Sequence, residues 1–235
     1  MSAKSAALIE NLDRVRERIS LAAQRAGRRA EEITLIAVSK THSAGKIQQL
    51  YEAGVRHFGE NRVQERESKL SSTARLQADW HMIGHLQKNK AARAVQLFTS
   101  IDSVDNLALA ERLDRAAAES ASRPRLLIEV KLDPEPAKSG VTAEELLPLV
   151  AAVSRLPHLE LRGLMGIPPY FDDPEEARPY FRRLRESSDA LRAEMGPDAL
   201  PALSMGMSHD FEIAIEEGAT EIRVGTALFG VRGEP

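Results

Sequence analysis

The sequence predicts a single-domain α/β protein, a (β/α)8 TIM barrel preceded by one extra N-terminal helix. Two observations carry this. From residue 33 to about residue 230, short apolar, β-branched runs alternate with polar stretches of helical length, which implies parallel strands joined by right-handed crossovers. No linker, low-complexity tract or short repeat interrupts the 235 residues, so one domain is expected over 1–235. A doubly wound open sheet is the alternative. It normally places a glycine-rich turn after its first strand, where this chain has SKTHSAG.

The elements follow in order. Residues 4–27 read as a helix because Leu8, Leu12, Val15, Ile19 and Ala22 share one face. Its mixed charges favour packing on a core over lying on a membrane. ITLIAVSK (33–40) is the first strand, with a helix at 44–53 that stops at Gly54. HFGEN (57–61) is the second, followed by a charged helix to about Leu70. WHMIG (80–84) precedes a helix near 88–95, and LFTSID (97–102) precedes an Ala-rich helix at 104–121. RLLIEVKL (125–132) leads to a helix at 142–154, and LELRGLMGI (159–167) to one within 174–194. ALSMG (202–206) leads to a helix at 208–217, and EIRVG (221–225) to a last short turn at TALFG.

Composition excludes several classes. With 32 basic against 35 acidic side chains the net charge is −3, which argues against a broad nucleic-acid footprint. No apolar run approaches the ~18 residues of a membrane span. The start MSAKSAALIENLDRVRER has no signal-peptide core, so a cytoplasmic protein is expected. The absence of cysteine removes disulfides, thiolate nucleophiles and cysteine metal sites. His57, His81 and His85 lack metal-like spacing and read as core or rim residues, so no metal is expected.

In such a barrel, chemistry gathers at the C-terminal strand ends. Lys40 closes strand one after an apolar run. It is either a lysine that extends to solvent or, if desolvated, a neutral amine suited to Schiff-base chemistry. On strand eight, Ile222 and Val224 share one face while Glu221, Arg223 and Gly225 share the other. An inward Arg223 needs an anionic ligand or an internal partner such as Glu129 or Glu160. Ser204, Gly206, Ser208, Gly225 and Thr226 gather beyond strands seven and eight, a recurrent phosphate position, and Ser208 suits the cap of the following helix. Asn61 reaches the mouth or forms a turn. RRLRE (182–186) reads as a solvated helix face, and Asp172 and Asp173 as a loop and cap.

AVSKT (37–41), HFGENRVQE (57–65), WHMIGHLQKNK (80–90), GLMGIP (163–168), LSMGMSHDFEIAI (203–215) and EIRVGTALFG (221–230) together resemble the pyridoxal phosphate homeostasis protein family, of the YggS/PROSC type. The resemblance covers nearly the whole chain. It implies the barrel of the alanine racemase N-terminal domain and pyridoxal 5′-phosphate (PLP) held covalently as an internal aldimine on Lys40. It places the phosphate against Ser204, Met205, Gly206 and Ser208 and the Gly225–Thr226 turn, Arg223 toward the pyridine nitrogen, and Asn61 near the ring's phenolic oxygen. Lys138 matches a second family lysine connected with PLP exchange. Arg62 and Lys131 depart from the tyrosine and asparagine usual at their positions.

An arginine beside the ring nitrogen weakens the electron sink on which PLP catalysis depends. The tyrosines are only Tyr51, Tyr170 and Tyr180. The expectation is therefore a PLP carrier in vitamin B6 homeostasis, not an enzyme of strong activity. It would be a monomer, with PLP-dependent apo-enzymes as recipients and neither nucleic acid nor membrane as partner. A weak PLP-dependent racemase or decarboxylase is the alternative, and a barrel binding another phosphate ester is the third reading.

Overall fold

Alternation along each strand decides which side chains enter the barrel. The computed structural model describes residues 3–133, 135 and 138–230. Eight parallel strands close in sequence order: β1 (Thr34–Val38), β2 (His57–Glu60), β3 (Asp79–Met82), β4 (Ser100–Val104), β5 (Arg125–Val130), β6 (Glu160–Gly166), β7 (Ala202–Met207) and β8 (Glu221–Val224). Closure sets Thr34 of β1 opposite Glu221 of β8, and Ile36 opposite Arg223. Ile222 and Val224 lie in the outer core beneath the helices, as do Leu126, Ile128 and Val130 of β5. Leu127 instead joins Met165 and Ala202 in a small separate cluster.

A polar network joins β2, β3 and β4, half-buried at His57 and buried at His81 and Asp102. His57 Nδ1 lies 3.1 Å from His81 Nε2, and His81 Nδ1 lies 2.9 Å from Asp102 Oδ2. Burial and the charge of His81 push His57 down to about 4. Burial also opposes charge on His81, but Asp102 outweighs it and raises that pKa. Among the described residues, His81, Asp102 and Glu221 are the one group bringing three potential metal-ligand atoms within 4.8 Å of one another, although their sequence spacing shows no such pattern.

The helices are α1 (Ala3–Arg25), α2 (Ala44–Glu52), α3 (Val63–Thr73), α4 (Ala91–Leu97), α5 (Leu107–Glu119), α6 (Ala143–Val153), α7 (Arg178–Met195), α8 (Phe211–Glu216) and α9 (Thr226–Phe229). Helix α1 buries Leu8, Leu12, Val15, Ile19 and Ala22 and packs on α2, α8 and α9. Its Arg18 forks onto Glu212 at 2.6 and 2.8 Å, and Asn11 Nδ2 donates to Leu228 O at 2.9 Å. No described helix is long and apolar enough to cross a membrane.

Three local expectations change. The run LFTSID does not form one strand: Leu97 ends α4 and β4 begins at Ser100, because an apolar run alone does not separate a helix end from a strand start. The charged RRLRE face is not simply solvated. Arg178, Arg182 and Arg185 converge on Glu217, at 3.2, 3.2 and 2.9 Å, and so fasten α7 to the end of α8. Ser208 does not cap α8, which starts three residues later. Its hydroxyl accepts from Gly225 N and Ala227 N at 3.1 and 3.2 Å and so holds the start of α9. Asp173 does cap, accepting from Glu175 N at 3.0 Å.

Candidate functional site

The C-terminal strand ends surround a cavity of about 510 Å³, within the usual ~300–1,000 Å³ of small-molecule sites. Val38 at the end of β1, Lys40 just past it, Asn61 after β2, Ile83 and His85 after β3, and Glu129 of β5 form one side. Ile167, Met207, Ser208, Arg223, Gly225 and Thr226 form the other, and Lys138 reaches in from the loop after β5. The structure thus brings Lys40, Asn61, Ser208, Arg223, Gly225 and Thr226 together. Ser204, Met205 and Gly206 do not line the cavity. Ser204 is buried beneath it against Arg223, and Met205 lies in the outer core. Gly206 lets β7 pass α8: at its φ of +89°, a Cβ would lie 2.5 Å from Ala214 Cβ.

Lys40 stands in a turn just past β1, half-buried. Ser39 N makes a 2.9 Å ladder bond to Gly59 O. Thr41 then takes a left-handed φ of +66°, and the His42 ring stacks on Phe229 at 4.2 Å. This backbone turns the lysine over the barrel end.

Arg223 is 3% exposed. Its Nη1 donates to Ser204 Oγ at 2.7 Å and its Nη2 to Gly166 O at 2.9 Å. Among the described residues no carboxylate pairs with it within 4 Å, and Glu160 pairs with Arg162 instead. Burial pulls the Arg223 pKa down against the pull of Asp102, Asp210, Glu129 and Glu221. The Glu129 carboxyl makes no hydrogen bond to a described residue. Burial, aided by Asp105 and opposed by Arg223, pushes it up to about 7.

An anion finds donors at β7 and β8. The amides of Ser208 and Thr226 have no acceptor among the described residues. Because Ser208 Oγ accepts two amides, its own proton remains available to donate. Unclaimed amides, two hydroxyls and a lysine suit a phosphate monoester bearing an aldehyde, and a buried guanidinium suits a ring-nitrogen lone pair.

The rim completes the site. Lys138 lies 3.8 Å from Glu135. Lys131 follows β5, where Lys131 N donates to Val141 O and Val141 N to Glu129 O, at 2.9 and 2.8 Å, folding the loop back onto the strand. Arg62 is exposed at the start of α3 and outside the cavity. Tyr170 is 76% exposed and stacks on His209 at 5.4 Å, whose Nε2 donates to Phe171 O and Asp172 O. Sequence reasoning named Glu129 only as a partner for Arg223 and missed its place in the cavity wall. The alternation of Leu126, Ile128 and Val130 was the signal that it points inward.

Comparison with known proteins bears on this geometry. Residues 10–233 match the family described as alanine racemase, N-terminal domain. A pyridoxal phosphate homeostasis protein of Aquifex aeolicus is 46% identical over 223 residues, which are 95% of this chain and 97% of the relative. That of Escherichia coli is 41% identical over 232 residues, 96% of this chain and 97% of the relative. The structure of PipY from Synechococcus elongatus with PLP bound is 44% identical, with a TM-score of 0.80 over 92% of this chain and all of that one. An alanine racemase of Clostridium difficile shares the fold at 15% identity and a TM-score of 0.72, with 97% of this chain and 57% of the racemase covered. On these matches, the chain belongs to the pyridoxal phosphate homeostasis protein family.

Proposed function

We propose that this chain acts as a single PLP-binding domain that holds the cofactor reversibly on Lys40 Nζ and serves intracellular PLP homeostasis without strong catalysis of its own. The observation that carries the reading is the convergence of Lys40, the open donors of Ser208 and Thr226, and Arg223 on one cavity. PLP supplies an aldehyde that bonds reversibly to amines and a ring that can act as an electron sink. Ser208, Gly225 and Thr226 hold the phosphate. Asn61 faces the ring's phenolic oxygen, and Arg223 faces its nitrogen. Ser204 orients Arg223, while Met205 and Gly206 set the course of the β7 backbone beneath the phosphate. Arg223 keeps a proton off the ring nitrogen, because a second positive charge beside a guanidinium is disfavoured. The sink is then weak, which suits a carrier. PLP-dependent apo-enzymes are its recipients, reached through exchange with free amines in the cytoplasm. PipY, described with PLP bound, supports the cofactor, and the names of the relatives support the role.

A second reading, a weak PLP-dependent racemase or decarboxylase, draws on Tyr170 and Glu129, two proton-carrying groups in the cavity wall. One experiment separates the readings. Purified protein supplied with PLP is reduced with borohydride and its peptides are mapped, and a panel of L-amino acids is assayed for turnover. The carrier reading expects a visible chromophore fixed on Lys40, its loss in Lys40→Ala, and no turnover at ordinary enzyme rates. An unchanged chromophore in Lys40→Ala overturns the anchor, and rapid turnover overturns the carrier.

A further inference from the structure

Behind Lys40, outside the barrel wall, lies a buried polar group that does not line the cavity. Glu60 ends β2. The alternation that turns His57 toward His81 turns Glu60 the other way, toward α3. Its carboxylate is fully buried, and Lys69 of α3 is 8% exposed. Lys69 Nζ donates to Glu60 Oε1 at 2.6 Å and to Ser39 O at 2.8 Å. Ser39 Oγ donates to the same Oε1 at 2.7 Å. Glu60 Oε2 has no partner among the described residues, so the cluster hangs on one carboxylate oxygen.

Joining a helix to a strand does not require this arrangement. Apolar residues of similar volume usually pack as well as a buried ion pair, which must overcome the desolvation of both charges. What they cannot do is hold a carbonyl. Ser39, the residue before Lys40, is held at both its carbonyl and its hydroxyl. On the far side of Lys40, His42 N returns to Ser39 O at 3.0 Å, across the left-handed Thr41. Ser39 O therefore closes the turn that carries Lys40, and Lys69 is its second donor. A β-branched residue at positive φ is sterically disfavoured and persists only where neighbours fix it.

We propose that the Lys69–Glu60 pair is a positioning device for Lys40: by gripping Ser39 from behind, it fixes the turn that presents Lys40 Nζ to the cavity. This rests on the reading of Lys40 as the PLP anchor. The pair then governs the bond to the aldehyde and leaves the phosphate end, held at β7 and β8, unaffected.

The test compares PLP with pyridoxine 5′-phosphate, which carries an alcohol in place of the aldehyde and cannot bond to an amine. Two variants are used, Lys69→Met and the double variant Glu60→Gln/Lys69→Met. The double variant removes both charges, so no buried carboxylate is stranded and folding is preserved. In each, PLP affinity is expected to fall on the order of tenfold, as for loss of a hydrogen bond from a charged donor, with less borohydride-trapped adduct on Lys40. Affinity for pyridoxine 5′-phosphate is expected to stay within about twofold. Equal losses for both ligands, or no loss for either, overturn the proposal. Unsubstituted protein that neither prefers PLP to pyridoxine 5′-phosphate nor traps an adduct on Lys40 overturns the anchor reading instead.

Discussion

A carboxyl group whose pKa rises from 4.5 to about 7 on folding, as that of Glu129 does, is part charged at neutral pH. The folded chain binds this proton more tightly than the unfolded chain. Its contribution to stability is complete below about 4.5 and is lost as pH rises through about 7. Glu129→Gln should therefore be more stable than the parent at pH 8, by ~1–3 kcal/mol, and equal to it near the lower limit. Denaturant titrations at the two pH values check this. Residues whose role follows from parity along one strand were legible in the sequence: Arg223 turns inward because Ile222 and Val224 face the helices. Partners distant along the chain were not. Ser208 is a good helix cap by type, but no local pattern says that the amides it serves belong to Gly225 and Ala227. The grip of Lys69 on Ser39 is hidden for the same reason.

At the scale of elements, strand order and helix alternation were readable because each β-branched run is bounded by polar stretches. Boundaries were less so, as Leu97 shows: it belongs to the outer core whether it ends a helix or starts a strand. The β7–α8 junction depends on one residue. Gly206 has a φ of +89°, and an added Cβ would also sit 2.9 Å from Phe211 Cα. Gly206→Ala is expected to cost about 2–4 kcal/mol, from the strained backbone together with overpacking. A lowered denaturant midpoint would show it. The same push on α8 should displace Ser208 and weaken PLP binding, measured by titration of the chromophore.

At the scale of the whole molecule, large apolar side chains exposed among the described residues fall into two sets. Leu21, Leu107, Leu147 and Met195 lie on four different helices, whereas Ile167, Tyr170 and Met207 ring the cavity. Among the described residues, those away from the mouth are scattered over separate helices, and we propose a monomer. Sedimentation equilibrium should return the chain mass of 25.9 kDa, and twice that mass would refute it. The closure of β8 on β1 has a consequence for how the molecule is made. Lys40 leaves the ribosome well before Ser208, Arg223 and Thr226, the residues proposed to share its ligand. The growing chain thus carries the amine long before the rest of the site, and the pairing of β1 with β8 is a highly non-local contact of the kind that forms slowly. On the proposed reading, a chain that stops short of β8 is expected to hold no PLP.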